Sequence, residues 1–192
     1  MDIAEIGAGH SRLLEHFANT NRCTVIDEYK GLGGGPKTRP NIQNVSFIDC
    51  MVGNSRRLIP DQTFDILYSV SVVEHVALEN LELFFQDCHR ILRPGGKMIH
   101  LIDAYVEDQL GDNAELWLRI EEYLKPYGAW FLPMGELQFS TVEDVAFLTS
   151  YATNPDNMMR RWNVSSPGLR KKRGRAQSCT LEMVGVRSDK GI

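Results

Sequence analysis

The sequence predicts an α/β fold around a mostly parallel sheet, on three observations. Asp2-Ile-Ala-Glu-Ile-Gly-Ala-Gly-His-Ser-Arg12 reads as a short buried strand that breaks into a glycine turn and opens a helix. Phe64-Asp-Ile-Leu-Tyr-Ser-Val-Ser71 is an almost continuous apolar run, as a central parallel strand buried on both faces must be. Between and after them, strand-like and helix-like patterns alternate through the first hundred residues.

The chain of 192 residues is long enough for one α/β core and short for two. Hydrophobic content of 43% and charged content of 24% are ordinary globular values. A formal net charge of −4 gives no global footprint for nucleic acid. There is no apolar run of about 18 residues to span a bilayer and no secretory n-region and h-region, which predicts a cytoplasmic location. Cys23, Cys50, Cys88 and Cys179 show no C-x-x-C spacing, so free, mostly buried thiols are expected.

In chain order, Ile3, Ala4 and Ile6 make the first strand. Gly7 and Gly9 let the backbone turn and let a ligand approach the main chain, and Ala8 lies between them. Leu13, Leu14 and Phe17 predict a helix from about 11 to 18, whose N-terminus offers unpaired N–H groups. Glu5, beneath the turn, would repel a pyrophosphate but attract ammonium or hydroxyl groups. The dinucleotide fingerprint ends in Gly or Ala where this chain has Arg12, which disfavours NAD.

Cys23–Ile26 reads as a second strand ending at Asp27, 22 residues after Glu5 (27 − 5). That spacing suits an acid accepting hydrogen bonds from both ribose hydroxyls, the alternative being a helix N-cap. Glu28 is the second choice. Gly31-Leu-Gly-Gly-Gly-Pro36 is a loop without the Gly-Lys-Ser/Thr of a phosphate cradle. Val45–Ile48 makes a third strand, followed by Asp49 and Cys50. Ser69 and Ser71, at the end of the fourth strand, leave room for a ligand. Leu81, Phe84, Phe85, Cys88 and Leu92 mark a helix from about 78 to 92, stopped by Arg93-Pro-Gly-Gly96, and Lys97–Ile102 is a fifth strand. Farther on, 114–124 and 140–151 carry helical patterns, 127–133 reads as an aromatic loop, and 180–186 as a last strand.

Glu5-Ile-Gly-Ala-Gly-His-Ser11 resembles the E/D-x-G-x-G-x-G motif of class I S-adenosylmethionine-dependent methyltransferases, with Ser11 at the third glycine. F-D-I-L-Y-S, V-E-H-V and R-I-L-R-P-G-G-K resemble, in order, the later motifs of their small-molecule branch, so the likeness spans about residues 2–103. It implies a doubly wound, Rossmann-like, seven-stranded sheet with an antiparallel last strand, the cofactor lying across the carboxyl ends of the first strands. Residues 1–192 then form one domain, with 1–103 binding cofactor and 104–192 facing substrate and closing the sheet. A strand read almost from Met1 leaves no room for the N-terminal cap helices of many relatives, so either the chain is minimal or truncated or a homo-oligomer or another partner covers that face.

The resemblance implies S-adenosyl-L-methionine as cofactor, with Glu5 and Gly7, Ala8 and Gly9 at its methionine end. It places Asp27 at the ribose, Asp49 and Cys50 at the adenine, and Ser69 as the floor near the methyl group. A base should lie where the fourth and fifth strands end, and His75, His100 and Asp103 are the candidates. For each histidine the alternative is a structural role, bonded to main chain. His100-Leu-Ile-Asp103 is similar to an H-x-x-D in some methyltransferases acting on sugars or lipid-linked glycans. Glu107 and Asp108 have no spacing that forces a metal. Arg170-Lys-Lys-Arg-Gly-Arg175, with Arg160-Arg161-Trp162, could track phosphates, though a solvated hairpin loop is preferred.

The function expected is methyl transfer to a small-molecule hydroxylated acceptor, favouring O-methylation of a sugar or glycan-linked substrate. The competing readings are a non-catalytic scaffold of the same fold and, more weakly, an RNA methyltransferase.

Overall fold

A computed structural model of the chain describes residues 1–31, 35–107, 123, 125–133 and 176–187. Its seven strands are β1 (Asp2–Ile6), β2 (Arg22–Ile26), β3 (Val45–Ile48), β4 (Phe64–Val70), β5 (Leu92–Glu107), β6 (Phe131–Pro133) and β7 (Ala176–Arg187). They form one sheet in the order β3-β2-β1-β4-β5-β7-β6. The first five run parallel, and β7 is antiparallel to both β5 and β6. The expected doubly wound sheet with an antiparallel last strand is therefore the fold.

β1 is central, paired with β2 on one side and β4 on the other, and all five of its residues are buried. Strand alternation splits their side chains between two cores. On one face, Ala4, Ile6, Ile26, Leu67, Met98 and Ile102 belong to the same core as Phe84, Phe85, Cys88 and Ile91 of α1 (Leu81–Ile91). On the other, Ile3, Val25 and Tyr68 pack with Leu14 and Cys23. The order of strands reverses direction between β1 and β4, the position at which open α/β sheets bind ligands beyond their carboxyl ends.

Several local expectations are corrected. In place of a helix over 11–18 there is a single 3-10 turn, Leu13–His16, because Leu13 and Phe17 stay exposed and leave Leu14 as its buried anchor. α1 begins at Leu81, after a 3-10 turn at Leu78–Asn80. Arg93-Pro-Gly-Gly96 ends the helix but belongs to β5. Between Phe64↔Leu92 and Ile66↔Lys97, two steps on β4 oppose five on β5, so the extra residues are absorbed in a bulge. The stretch 127–133 is not a loop: 125–130 is helical and Phe131–Pro133 is β6, with Tyr127 and Phe131 stacked at 5.1 Å in the core. β7 is longer than 180–186 and begins at Ala176.

The helical pattern at 140–151, all of 114–124 except Tyr123, Asp108 and the basic segments at 160–162 and 170–175 lie outside the described residues. No helix among the described residues is long and apolar enough to cross a membrane. Cys23, Cys50 and Cys88 are free and buried.

Candidate functional site

The carboxyl ends of β1 to β4 bring four loops together. The turn after β1 needs glycine at position 7 for two reasons. Its φ is +63°, and a Cβ there would sit 2.7 Å from Val72 Cγ2, in the loop leaving β4. The Gly7 amide donates to Ile26 O at 2.8 Å and the Gly9 amide to Asp27 Oδ2 at 3.0 Å, so the turn is tied to the end of β2. Asp27 Oδ1 accepts the Tyr29 amide at 2.8 Å. Each carboxylate oxygen keeps a second acceptor direction, which is what a pair of ribose hydroxyls requires.

Glu5 is buried on the face opposite α1, and its Oε2 accepts from the Tyr68 hydroxyl at 2.8 Å. Burial pushes its carboxyl up from the usual value, against hydrogen bonds from Ser11 and Tyr68. Asp49 follows β3 half-exposed and is ion-paired with Arg39, whose guanidinium also lies over the Phe47 ring at 5.8 Å. Cys50 is buried beside it, and burial together with Asp87, Glu28 and Asp49 pushes its thiol up to about 11.

One side chain that the sequence did not single out lies two residues past Asp27. Tyr29 is 8% exposed, its backbone is in the left-handed region at φ +51°, and its hydroxyl has no partner among the described residues. Burial, then Asp27, Glu5 and Asp49, push that hydroxyl up to about 12, against Arg39. Glu5, Asp27 and Asp49 stand at the carboxyl ends of the adjacent strands β1, β2 and β3. Ser71, just past β4, also has a positive φ, +53°. Tyr29 and Ser71, two of the four non-glycine residues with positive φ among the described residues, lie beyond the two strands that flank β1, where such outliers collect at ligand sites. Sequence offered no signal for Tyr29 beyond its place just past a strand, whereas Ser71 is one of the small residues expected to leave room for a ligand.

The candidates on the other face are arranged differently. Ser69 and His100 are both fully buried, with Ser69 Oγ 2.7 Å from His100 Nδ1. Phe84, Phe85 and Tyr127 surround the imidazole at centroid distances of 5.6, 5.5 and 6.5 Å. Burial pushes His100 down to about 3, so it is neutral. The pair supports the site from inside the core, and the Ser69 side chain faces His100, not an open cleft. His75 ends a 3-10 turn (Val73–His75) directly after β4 and is exposed. Asp103 lies inside β5, in register with Thr180, and not past the strand end, so a His100–Asp103 pair gains nothing from an irregular terminus. The Asp103 side chain is outside the described residues. Among the described residues no group of three or more His, Cys, Asp or Glu is placed to hold a metal.

A family model described as "Methyltransferase domain" matches residues 4–100, which includes all four loops. The chain belongs to the methyltransferase domain family. Its resemblance to class I S-adenosylmethionine-dependent methyltransferases is thereby upheld, and S-adenosylmethionine is the cofactor of that family.

This methyltransferase domain is 31% identical over 67 residues to the phosphoethanolamine N-methyltransferase of Plasmodium falciparum (isolate 3D7), covering 34% of the chain and 23% of that relative. The chain thus spans under a quarter of the length of the curated relative it matches. Two solved structures show the same fold. Geranyl diphosphate C-methyltransferase from Streptomyces coelicolor A3(2), in complex with Mg2+, geranyl diphosphate and S-adenosyl-L-homocysteine, superposes with a TM-score of 0.57 at 13% identity, covering 97% of this chain and 72% of that one. Phosphoethanolamine N-methyltransferase 2 of Haemonchus contortus, in complex with phosphomonomethylethanolamine and S-adenosylhomocysteine, gives 0.58 at 13% identity, covering 98% and 49%.

Proposed function

We propose that the chain binds S-adenosylmethionine across the ends of β1 to β4 and transfers its methyl group to a small hydroxylated acceptor, a sugar or glycan-linked substrate. The observation that carries the reading is that Glu5, Asp27 and Asp49 stand at the carboxyl ends of three adjacent strands, with Asp27 bonded to the glycine turn through the Gly9 amide. The cradle fits the group: Gly7 has no Cβ where one would strike Val72, and Asp27 keeps acceptor capacity after satisfying Gly9 and Tyr29.

The cofactor, when bound, supplies the activated methyl group, so the protein's task is positioning and removal of a proton. In this reading the Glu5 carboxylate, fixed by Tyr68, offers a negative charge to the ammonium of the methionine end, beside the Gly7-Ala8-Gly9 amides. Asp27 takes the ribose hydroxyls, and Asp49 with the Cys50 backbone takes the adenine edge. Of the two histidines, His75 has the exposure a base needs to meet an acceptor hydroxyl, His100 being fully buried. Ser69 and His100 set the position of the β4 end from behind.

A second acceptor class, a phosphorylated amine, is favoured by the match to a phosphoethanolamine N-methyltransferase. Titration calorimetry with S-adenosylhomocysteine and with NAD tests the cofactor; binding of NAD alone would overturn the reading. Methyl transfer to a panel of sugars, phenols, phosphoethanolamine and RNA then separates the acceptors. A chain that binds cofactor and methylates none of them would be the scaffold module.

A further inference from the structure

The loop that follows β3 is gripped from α1 by a single acid. Asp87 Oδ2 accepts three hydrogen bonds, from the Gly53 amide at 2.8 Å, the Ser55 amide at 3.1 Å and the Ser55 hydroxyl at 2.6 Å. Its Oδ1 accepts from Arg90 Nε at 2.9 Å. The Arg90 guanidinium, itself 9% exposed, donates onward to Ser55 Oγ at 2.9 Å, Ile59 O at 2.8 Å and Asp61 Oδ1 at 2.6 Å.

An acid at this depth normally resists ionisation, yet here burial is outweighed by the Ser55 hydroxyl, the two amides and Arg90, which hold it below the usual carboxylate range. A buried charge satisfied at both oxygens is a rigid anchor, because any movement of the loop leaves it uncompensated. What it anchors is short. Gly53 and Ser55 follow Asp49 and Cys50 by a few residues, and the Asn54 amide closes a turn onto Met51 O at 3.2 Å. Gly53, at φ +103°, supplies the left-handed backbone that lets that turn close beside α1. Cys50 and Val52 are held in the same core as Phe84, Phe85 and Cys88.

We infer that Asp87, with Ser55 and Arg90, is a positioning residue for nucleobase recognition: the clasp fixes the 49–52 segment so that Asp49 meets the exocyclic amine of the adenine. This rests on the proposed cofactor reading. It assigns to α1, which touches no cofactor in that reading, control over which base is accepted.

The test compares S-adenosylhomocysteine with S-inosylhomocysteine, which lacks the exocyclic amine, by titration calorimetry on the full chain. Wild type should prefer the adenosyl compound by about tenfold, the scale of one hydrogen bond to a charged group. In Asp87→Asn the adenosyl affinity should fall by about that factor while the inosyl affinity holds, so the preference disappears. Glu5→Gln should weaken both ligands together and leave the ratio intact. Should Asp87→Asn fail to fold, Ser55→Ala, which removes one of the three bonds, reads the same ratio. A folded clasp variant with the wild-type ratio, or one that loses both ligands equally, overturns the inference. Wild type that binds neither nucleoside instead removes the cofactor reading itself.

Discussion

The Gly9 amide donates to Asp27 Oδ2 at 3.0 Å, which joins the turn after β1 to the end of β2 through a side chain that the cofactor reading needs. In the cofactor reading Asp27 is thus both a structural staple and the ribose acceptor. Asp27→Ala should cost about 1–2 kcal/mol of stability, the range for leaving amides without their acceptor. It should also abolish measurable S-adenosylhomocysteine binding. Asp27→Asn should keep the fold and lose about tenfold in affinity, since one charged acceptor becomes a donor. Urea melts and calorimetry read the two effects separately, and wild-type affinity in the Ala variant would remove Asp27 from the ribose site.

Gly7→Ala meets two penalties, the positive φ and the 2.7 Å approach to Val72 Cγ2. Together they should destabilise the protein by about 2 kcal/mol or more. Val72→Ala relieves only the steric part. The double variant should therefore recover about 1 kcal/mol relative to additivity in a mutant cycle, and strict additivity would show that the two loops do not touch.

His100 should make the protein acid-sensitive. Its folded-state value, pushed down to about 3 from 6.5, means that between those limits the unfolded chain binds the extra proton. The stability it contributes is present above about pH 6.5 and falls by about 1 kcal/mol per pH unit below that. His100→Asn, which can keep a partner for Ser69, should flatten this segment of the stability–pH curve. Parallel curves for the two proteins would contradict the buried neutral imidazole.

Glu5 carries the opposite sign. Its raised folded-state value means that its contribution is intact below about pH 4.5 and is lost as pH rises through the folded-state value. Glu5→Gln keeps an acceptor for Tyr68 without the buried charge. It should be more stable than wild type at neutral pH, equal to it at pH 4, and bind S-adenosylhomocysteine about tenfold more weakly. Thermal melts at both pH values and one titration decide it.

The sheet was legible because its strands are short apolar runs buried on both faces. β3 fell where expected, and β1, β2 and β4 did so within a few residues. The glycine turn and the acids at 5, 27 and 49 were legible for a related reason: each sits at a strand's end, so spacing along the chain maps onto adjacency across the sheet. The first helix failed that mapping. Leu13 and Phe17 supply helical periodicity, but only Leu14 finds a core to enter, and one 3-10 turn is enough to bury it.

By itself, the sequence determined the family, the strand order's beginning, and which acids end which strands, because these follow from local pattern and spacing. Only the tertiary structure decided that Tyr29 is buried with its amide on Asp27, that Ser69 and His100 face inward, and that Asp87 holds the loop after β3 from 32 residues away (87 − 55). Contacts of that range depend on how α1 and the loops pack over the sheet, and no periodicity along the chain encodes which buried polar atom will meet which amide.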